Sequence, residues 1–156
     1  VAMHPQLFNL SMIPEDPEQF PPPQTLSAAS VDRAAIMLFN TGDAVVLFVG
    51  KDVPQDTLLA AFGTGSVLDA AAAVAESPAA SLPVVEDSPY NEAVRRVVDA
   101  LVQARVDAGL AVPTISVTGD ERILQVLLVD DRTRHFYSYQ EFITQLQRNV
   151  EKELSN

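Results

Sequence analysis

The stretch Ala34-Ala-Ile-Met-Leu-Phe-Asn-Thr-Gly-Asp-Ala-Val-Val-Leu-Phe-Val-Gly50 decides the fold. Two apolar runs meet at Asn40-Thr41-Gly42-Asp43, where a glycine tolerates positive φ and polar side chains bond nearby backbone, so the stretch predicts a β-hairpin. Both arms are nearly continuous apolar rather than alternating. Strands of that kind are covered on both faces, so the hairpin predicts a sheet flanked by helices on each side, and an α+β domain.

Working outward, Pro54-Gln-Asp-Thr-Leu-Leu-Ala-Ala-Phe62 predicts a short helix stopped by Gly63, and Ser66 caps a second helix running through Ala75. The intervening Gly63-Thr64-Gly65-Ser66 lacks the Lys-Ser/Thr of a phosphate loop, so it reads as a helix stop followed by a new cap. Ser77–Asp87 is a Pro/Ser loop. Ser88-Pro89 then opens a long amphipathic helix that ends at Gly109, with Val94, Val97, Val98 and Leu101 on its apolar stripe and Ala104 or Arg105 extending it. Glu92 and Arg96 have the favourable i,i+4 order, which is worth only about 0.2–0.5 kcal/mol, so the stripe holds the helix.

Val112–Thr118 and Arg122–Val129 predict two more strands around the turn Gly119-Asp120-Glu121, with Pro113 at an edge or a strand start. Ser138-Tyr-Gln-Glu141 is a capping box for a last helix that directs Tyr139, Phe142, Ile143, Leu146, Val150 and Leu154 inward. At the other end, His4-Pro-Gln-Leu-Phe-Asn-Leu10 predicts a short extended piece, and Pro14–Pro23 combines clustered proline with acidic residues, so it cannot form a helix or a central strand. The expected organisation is an extended, Pro-rich lead-in segment over 1–24 and a domain over 25–156. Pro21-Pro22-Pro23 reads as a stiff connector rather than as a polyproline ligand for a partner domain.

Composition narrows the function. A chain of 156 residues makes one domain, which buries roughly 70% of the surface its unfolded chain exposes. There is no Cys, so disulfides and thiolate metal sites are excluded, and a reducing compartment is compatible. The 21 acidic residues against 10 basic give a net charge of −11, which argues against nucleic acid or an anionic membrane as the main partner. The tract Ala70–Ala73 is too short and interrupted to suggest a membrane span. The chain begins at Val1 without an initiator Met or a signal-peptide pattern, which suggests a fragment of a larger protein.

Catalytic chemistry is not indicated. The two histidines, His4 and His135, have no ligand-type residue at helical spacing, and no Gly-x-Ser-x-Gly elbow occurs. Asp130-Asp131 at a predicted strand end has no visible helping partner, so no nucleophile, base and orienter can be assembled. The expectation is an enzyme-free reading with no catalytic, cofactor-binding or metal residue, and with the partner-binding surface unknown.

The order of strand, turn, strand ending in Leu47-Phe-Val-Gly50, two short helices, a long helix and a last strand pair resembles the gelsolin-like repeat. Asp43–Pro54 with its Leu-Phe-Val-Gly-Lys-Asp-Val-Pro, Val85-Glu-Asp-Ser-Pro-Tyr-Asn-Glu-Ala-Val-Arg95, Leu127–Arg132 with Ser138–Leu146, and His4–Leu10 narrow it further. Together they resemble the C-terminal gelsolin-like domain of the cargo-adaptor subunit of the COPII coat, the larger partner of the inner-coat Sec heterodimer. The resemblance covers nearly the whole chain. It implies a mixed central sheet between a long helix, a C-terminal helix and short helices. The implied role is a non-catalytic coat module in cargo selection for endoplasmic reticulum to Golgi transport. Its implied partners are the other inner-coat subunit, the coat GTPase and cargo proteins, reached through the parent protein, with no nucleic acid and no membrane span. The implied location is cytoplasmic, at endoplasmic reticulum exit sites and on vesicles. No cofactor is implied here; the family's zinc finger is expected upstream of Val1, and its cargo pockets lie mainly in other domains. The competing classes are a calcium-regulated, actin-binding gelsolin repeat and a freestanding small enzyme. For the former, Gly42-Asp43 and Glu92 are the tempting counterparts of a calcium site, but Gly42-Asp43 falls in the hairpin turn rather than before the first core strand.

Overall fold

The computed structural model of the chain describes residues 5–16 and 18–128. Its strands are β1 (Gln6–Asn9), β2 (Pro23–Gln24), β3 (Ile36–Asn40), β4 (Ala44–Val49) and β5 (Thr114–Thr118), and its helices are α1 (Gln55–Phe62), α2 (Val67–Glu76), α3 (Pro89–Asp107) and α4 (Glu121–Leu128). They build one mixed sheet in the order β2-β1-β3-β4-β5, antiparallel except for the parallel β4–β5 pair.

The central hairpin stands where the apolar pattern places it. Across the turn, Thr41 N–H donates to the Ala44 carbonyl at 2.9 Å, Gly42 N–H donates to Asn40 Oδ1 at 3.1 Å, and Gly42 takes φ 92°. Every residue of β3 and β4 is buried, and the pleat sends alternate side chains to opposite faces. Ile36, Leu38, Val45, Leu47 and Val49 pack on one side with Leu58 and Phe62 of α1, Val74 of α2 and Val94, Val97 and Val98 of α3. Met37, Phe39, Ala44, Val46 and Phe48 pack on the other with Ile123, Leu124 and Leu127 of α4. Each fully buried side chain of this size contributes roughly 1.5–3 kcal/mol, so two cores, one per face, stabilise the sheet.

The helix boundaries follow the caps. Gly63 closes α1 in the left-handed region at φ 76°, and Ser66 Oγ accepts from Asp69 N–H at 3.1 Å to start α2. Ser88 Oγ accepts from Asn91 N–H at 3.1 Å, while its hydroxyl donates to the Ala60 carbonyl at 2.6 Å, so the same cap fastens α3 onto α1. Residues 55–76 are long and apolar enough to cross a membrane, with a mean hydropathy of 1.6 in their most apolar window. The Gly63–Ser66 break divides the run into two helices, and Leu58, Ala61, Phe62, Ala70 and Val74 are buried against the sheet side.

One element departs from the sequence reading. Residues 122–129 were expected as a strand, yet Glu121–Leu128 is helix α4. Ile, Leu, Val, Leu and Leu in near-continuous succession are ambiguous between a buried strand and a helix. The decision comes from the buried set Ile123, Leu124 and Leu127, which has helical spacing, and from Asp120, whose Oδ1 accepts from Arg122 N–H at 2.8 Å. The chain therefore does not return as a hairpin after β5 but crosses to the open face of the sheet.

Residues 6–9, read as part of the lead-in segment, form β1 between β2 and β3, with Leu7, Phe8 and Leu10 buried. The proline cluster lies beyond them, and Phe20 meets Phe8 edge-on at 5.1 Å. The expected last helix with its Ser138 cap, and the Asp130-Asp131 and His135 positions, lie outside the described residues, as does His4.

Candidate functional site

Among the described residues no group of three or more His, Cys, Asp or Glu comes together as a metal site. The polar groups that do converge hold the fold. Asn91, fully buried in the first turn of α3, donates through Nδ2 to the carbonyls of Ala61 at 2.7 Å and Pro83 at 3.0 Å. Its Oδ1 accepts from Val85 N–H at 3.0 Å and Arg95 Nε at 2.8 Å. Both donors and both lone pairs are satisfied, so one amide ties α1, the loop before α3 and α3 itself. Its sequence signal is a polar residue on the stripe of Val94 and Val98, at i, i+3 and i+7. We expect Asn91→Ala to cost about 3 kcal/mol in urea unfolding, because it orphans buried backbone groups. A loss of under about 1 kcal/mol would show that water replaces the amide.

The candidate calcium residues are kept apart. Asp43 faces Arg105 near the end of α3, at 3.6 Å from Nη2. Glu92 lies in the first turn of that helix, thirteen residues earlier and so about 20 Å along its axis. The two carboxylates therefore sit at opposite ends of α3 and cannot share an ion. Glu92 and Arg96 form no ion pair; Arg95 and Asn91 make the i,i+4 contact there instead. Beside Asn91, burial pushes the Tyr90 hydroxyl up to about 12. Asp120 is held below the usual carboxylate range by its side-chain hydrogen bond to Arg122.

Among the described residues, an open concavity forms a groove of about 930 Å³ along β5. One wall is α2, through Val67, Leu68, Ala71 and Val74; the end of α2 and the loop Ser77–Ser81 continue it, and Arg122 and Ile123 of α4 stand opposite. All eight residues from Val112 to Gly119 line it, although a strand's side chains alternate between faces, so the groove follows the outer edge of β5 rather than one face. The described lining is aliphatic with hydroxyls and the Asp120–Arg122 ion pair.

No family model matches the chain. It is 22% identical over 176 residues to the protein transport protein SEC24 of Eremothecium gossypii, covering 96% of this chain and 19% of that protein. It is 26% identical over 165 residues to the protein transport protein SEC24 of Pyricularia oryzae, covering 95% of this chain and 17% of that protein. Both alignments take in nearly the whole of this chain, so Sec24 proteins are what it is similar to. The crystal structure of the human COPII-coat protein Sec24c shares its fold, with a TM-score of 0.61 at 22% identity over 97% of this chain and 20% of that one.

The chain thus spans about a fifth of the length of the Sec24 proteins it matches. Two of the motifs that carry the Sec24 resemblance now have structural meanings. Leu47–Pro54 is the end of β4 and the approach to α1, where Gly50 passes against the backbone of Arg33. Val85–Arg95 holds the Ser88 cap and the Asn91 amide network. Of the third, Leu127 and Leu128 end α4, and the remainder lies outside the described residues. These motifs mark backbone close approach and buried hydrogen bonding; the groove along β5 was not legible in them.

Proposed function

We propose that this chain is the C-terminal gelsolin-like module of a COPII coat protein and has no catalytic role. In this reading it belongs to an adaptor that selects cargo for transport from the endoplasmic reticulum to the Golgi. The observation that carries the reading is the alignment of nearly the whole chain to two Sec24 proteins, whose names describe protein transport and no enzymatic activity. The mixed sheet with helices on both faces supports it. The partners are the other inner-coat subunit, the coat GTPase and cargo, engaged through the parent protein on the cytoplasmic side of exit sites and vesicles. This segment binds no cofactor, and the family zinc finger belongs to another part of the parent. The test is to replace the corresponding segment of a fungal Sec24 with this chain and follow cargo export from the endoplasmic reticulum. Export and growth are expected; a chimera that accumulates folded yet stays off coated vesicles overturns the proposal.

The actin-regulator alternative makes an opposite prediction. A calcium site saturated a hundredfold would add about 2.7 kcal/mol and raise the melting temperature by about 5–10 °C. With Asp43 beside Arg105 and Glu92 at the far end of α3, we expect no such rise when millimolar calcium replaces chelator, and no co-sedimentation with actin filaments. A rise abolished by Glu92→Gln, together with actin binding, would replace the coat reading.

A further inference from the structure

The two edges of the sheet are not alike. At one, β2 is two residues long, begins with Pro23 and follows Pro21-Pro22, which is how sheet edges are ordinarily blunted. At the other, β5 runs five residues, Thr-Ile-Ser-Val-Thr, with no charge and with proline only ahead of it at Pro113. Its Thr114 N–H donates to the Asp43 carbonyl at 3.0 Å in the parallel register Ala44↔Thr114. In a strand the N–H and C=O of one residue point to the same side, so those of Ile115 and Val117 point away from β4. No described residue bonds them. They open onto the groove whose walls are α2 with the Ser77–Ser81 loop on one side and Arg122 and Ile123 on the other.

We infer that this groove receives an extended segment of a partner protein, which adds to β5 as a further strand. Recognition has three parts. The outward backbone groups of Ile115 and Val117 supply the ladder, and strand addition draws its affinity from such main-chain bonds. Aliphatic side chains of the incoming strand meet Leu68, 61% exposed, and Val112, 47% exposed, at the rim. The charge around the groove selects the flanks. Asp69 and Glu76, both exposed, stand within a residue of the lining positions at the two ends of α2, while Asp120 and Arg122, the charged residues among the described lining, offset each other in an ion pair at 3.0 Å. In a chain of net charge −11 this favours a segment flanked by Lys or Arg. Five strand residues span about 17 Å, which sets the core of the ligand at four to six residues. The inference rests on the groove and does not depend on the coat reading.

The probe is the synthetic peptide Lys-Lys-Thr-Val-Ile-Val-Thr-Lys-Lys, added to the isotope-labelled full chain and followed by amide shifts and fluorescence anisotropy. The amides of Ile115 and Val117 are expected to shift, and raising salt is expected to weaken binding. A copy with the alternate backbone nitrogens of its core methylated keeps every side chain and loses donors, so it should bind about tenfold more weakly; so should a copy with Glu in place of Lys. Leu68→Arg, at an exposed position that tolerates a charge, should weaken the Lys-flanked peptide about tenfold while leaving the fold intact by circular dichroism. Equal binding of the methylated peptide, shifts confined to other parts of the chain, or no binding at all overturns the proposal. Self-association of the chain with shifts at the same amides also overturns it, because the occupant would then be a second copy.

Discussion

Val46→Asp is expected to abolish cooperative folding. Val46 is fully buried, pairs with Phe39 across the hairpin and with Ser116 of β5, and turns its side chain into the core closed by Ile123, Leu124 and Leu127 of α4. Among the described residues the buried polar side chains are Asn9, Asn40, Asn91 and Thr118, none of them basic, so none offers a buried positive charge to a carboxylate at Val46. Burying it costs several kcal/mol, against a total stability of about 5–15 kcal/mol. The contrast is Asp43→Ala, three residues away in the turn. Asp43 is half exposed and its ion pair with Arg105 spans 3.6 Å, so its removal should change stability by less than about 1 kcal/mol. Thermal melts of the two variants by circular dichroism check both. A cooperative Val46→Asp transition within a few degrees of the parent would show that α4 does not close that face.

Gly50→Ala should be nearly as damaging, for a backbone reason. A Cβ at Gly50 would overlap the carbonyl oxygen, Cα and carbonyl carbon of Arg33. Relief requires the Arg33 backbone to retreat, and it is held from several sides. Its carbonyl accepts from Asp52 N–H at 2.9 Å, and its guanidinium forks onto Glu121 at 3.0 and 3.1 Å, a bond that also raises the basicity of Arg33. The Arg33–Glu121 pair is solvent-exposed and adds little stability by itself; it positions the strand entry against α4. Overpacking of this kind costs about 3 kcal/mol where neither side can move. A matched pair of urea denaturation curves measures it, and a Gly50→Ala midpoint equal to the parent's would mean that the two segments separate freely.

The central hairpin, the three helices before β5 and their caps were legible because each is encoded locally. An apolar run of strand length, a glycine in the turn, Ser66 and Ser88 one residue before a helix, and Gly63 just after one all act on their own neighbours. The Val94, Val97, Val98 stripe was legible for the same reason, since a helix's periodicity is written along it. Residues 121–128 were not, because five apolar residues in the six positions 123–128 suit a short buried strand as well as a short helix. Which conformation they take depends on the vacant side of the sheet, and a helix covers Met37, Phe39, Val46 and Phe48 where another strand would have extended the sheet and left them open.

What the sequence by itself determined about this protein is its class and its likeness: an α+β domain around a two-faced hairpin, similar along nearly its whole length to Sec24 proteins. Tertiary structure alone decided how distant segments meet. It placed β1 from the first ten residues inside the sheet, made Asn91 the anchor of three segments, set Asp43 and Glu92 at opposite ends of α3, and left the outer edge of β5 unbonded by any described residue along a groove. The physical reason is range. Turns, caps and periodicity act within a few residues, whereas burial, satisfaction of a buried amide and the exposure of a strand edge depend on elements tens of residues apart.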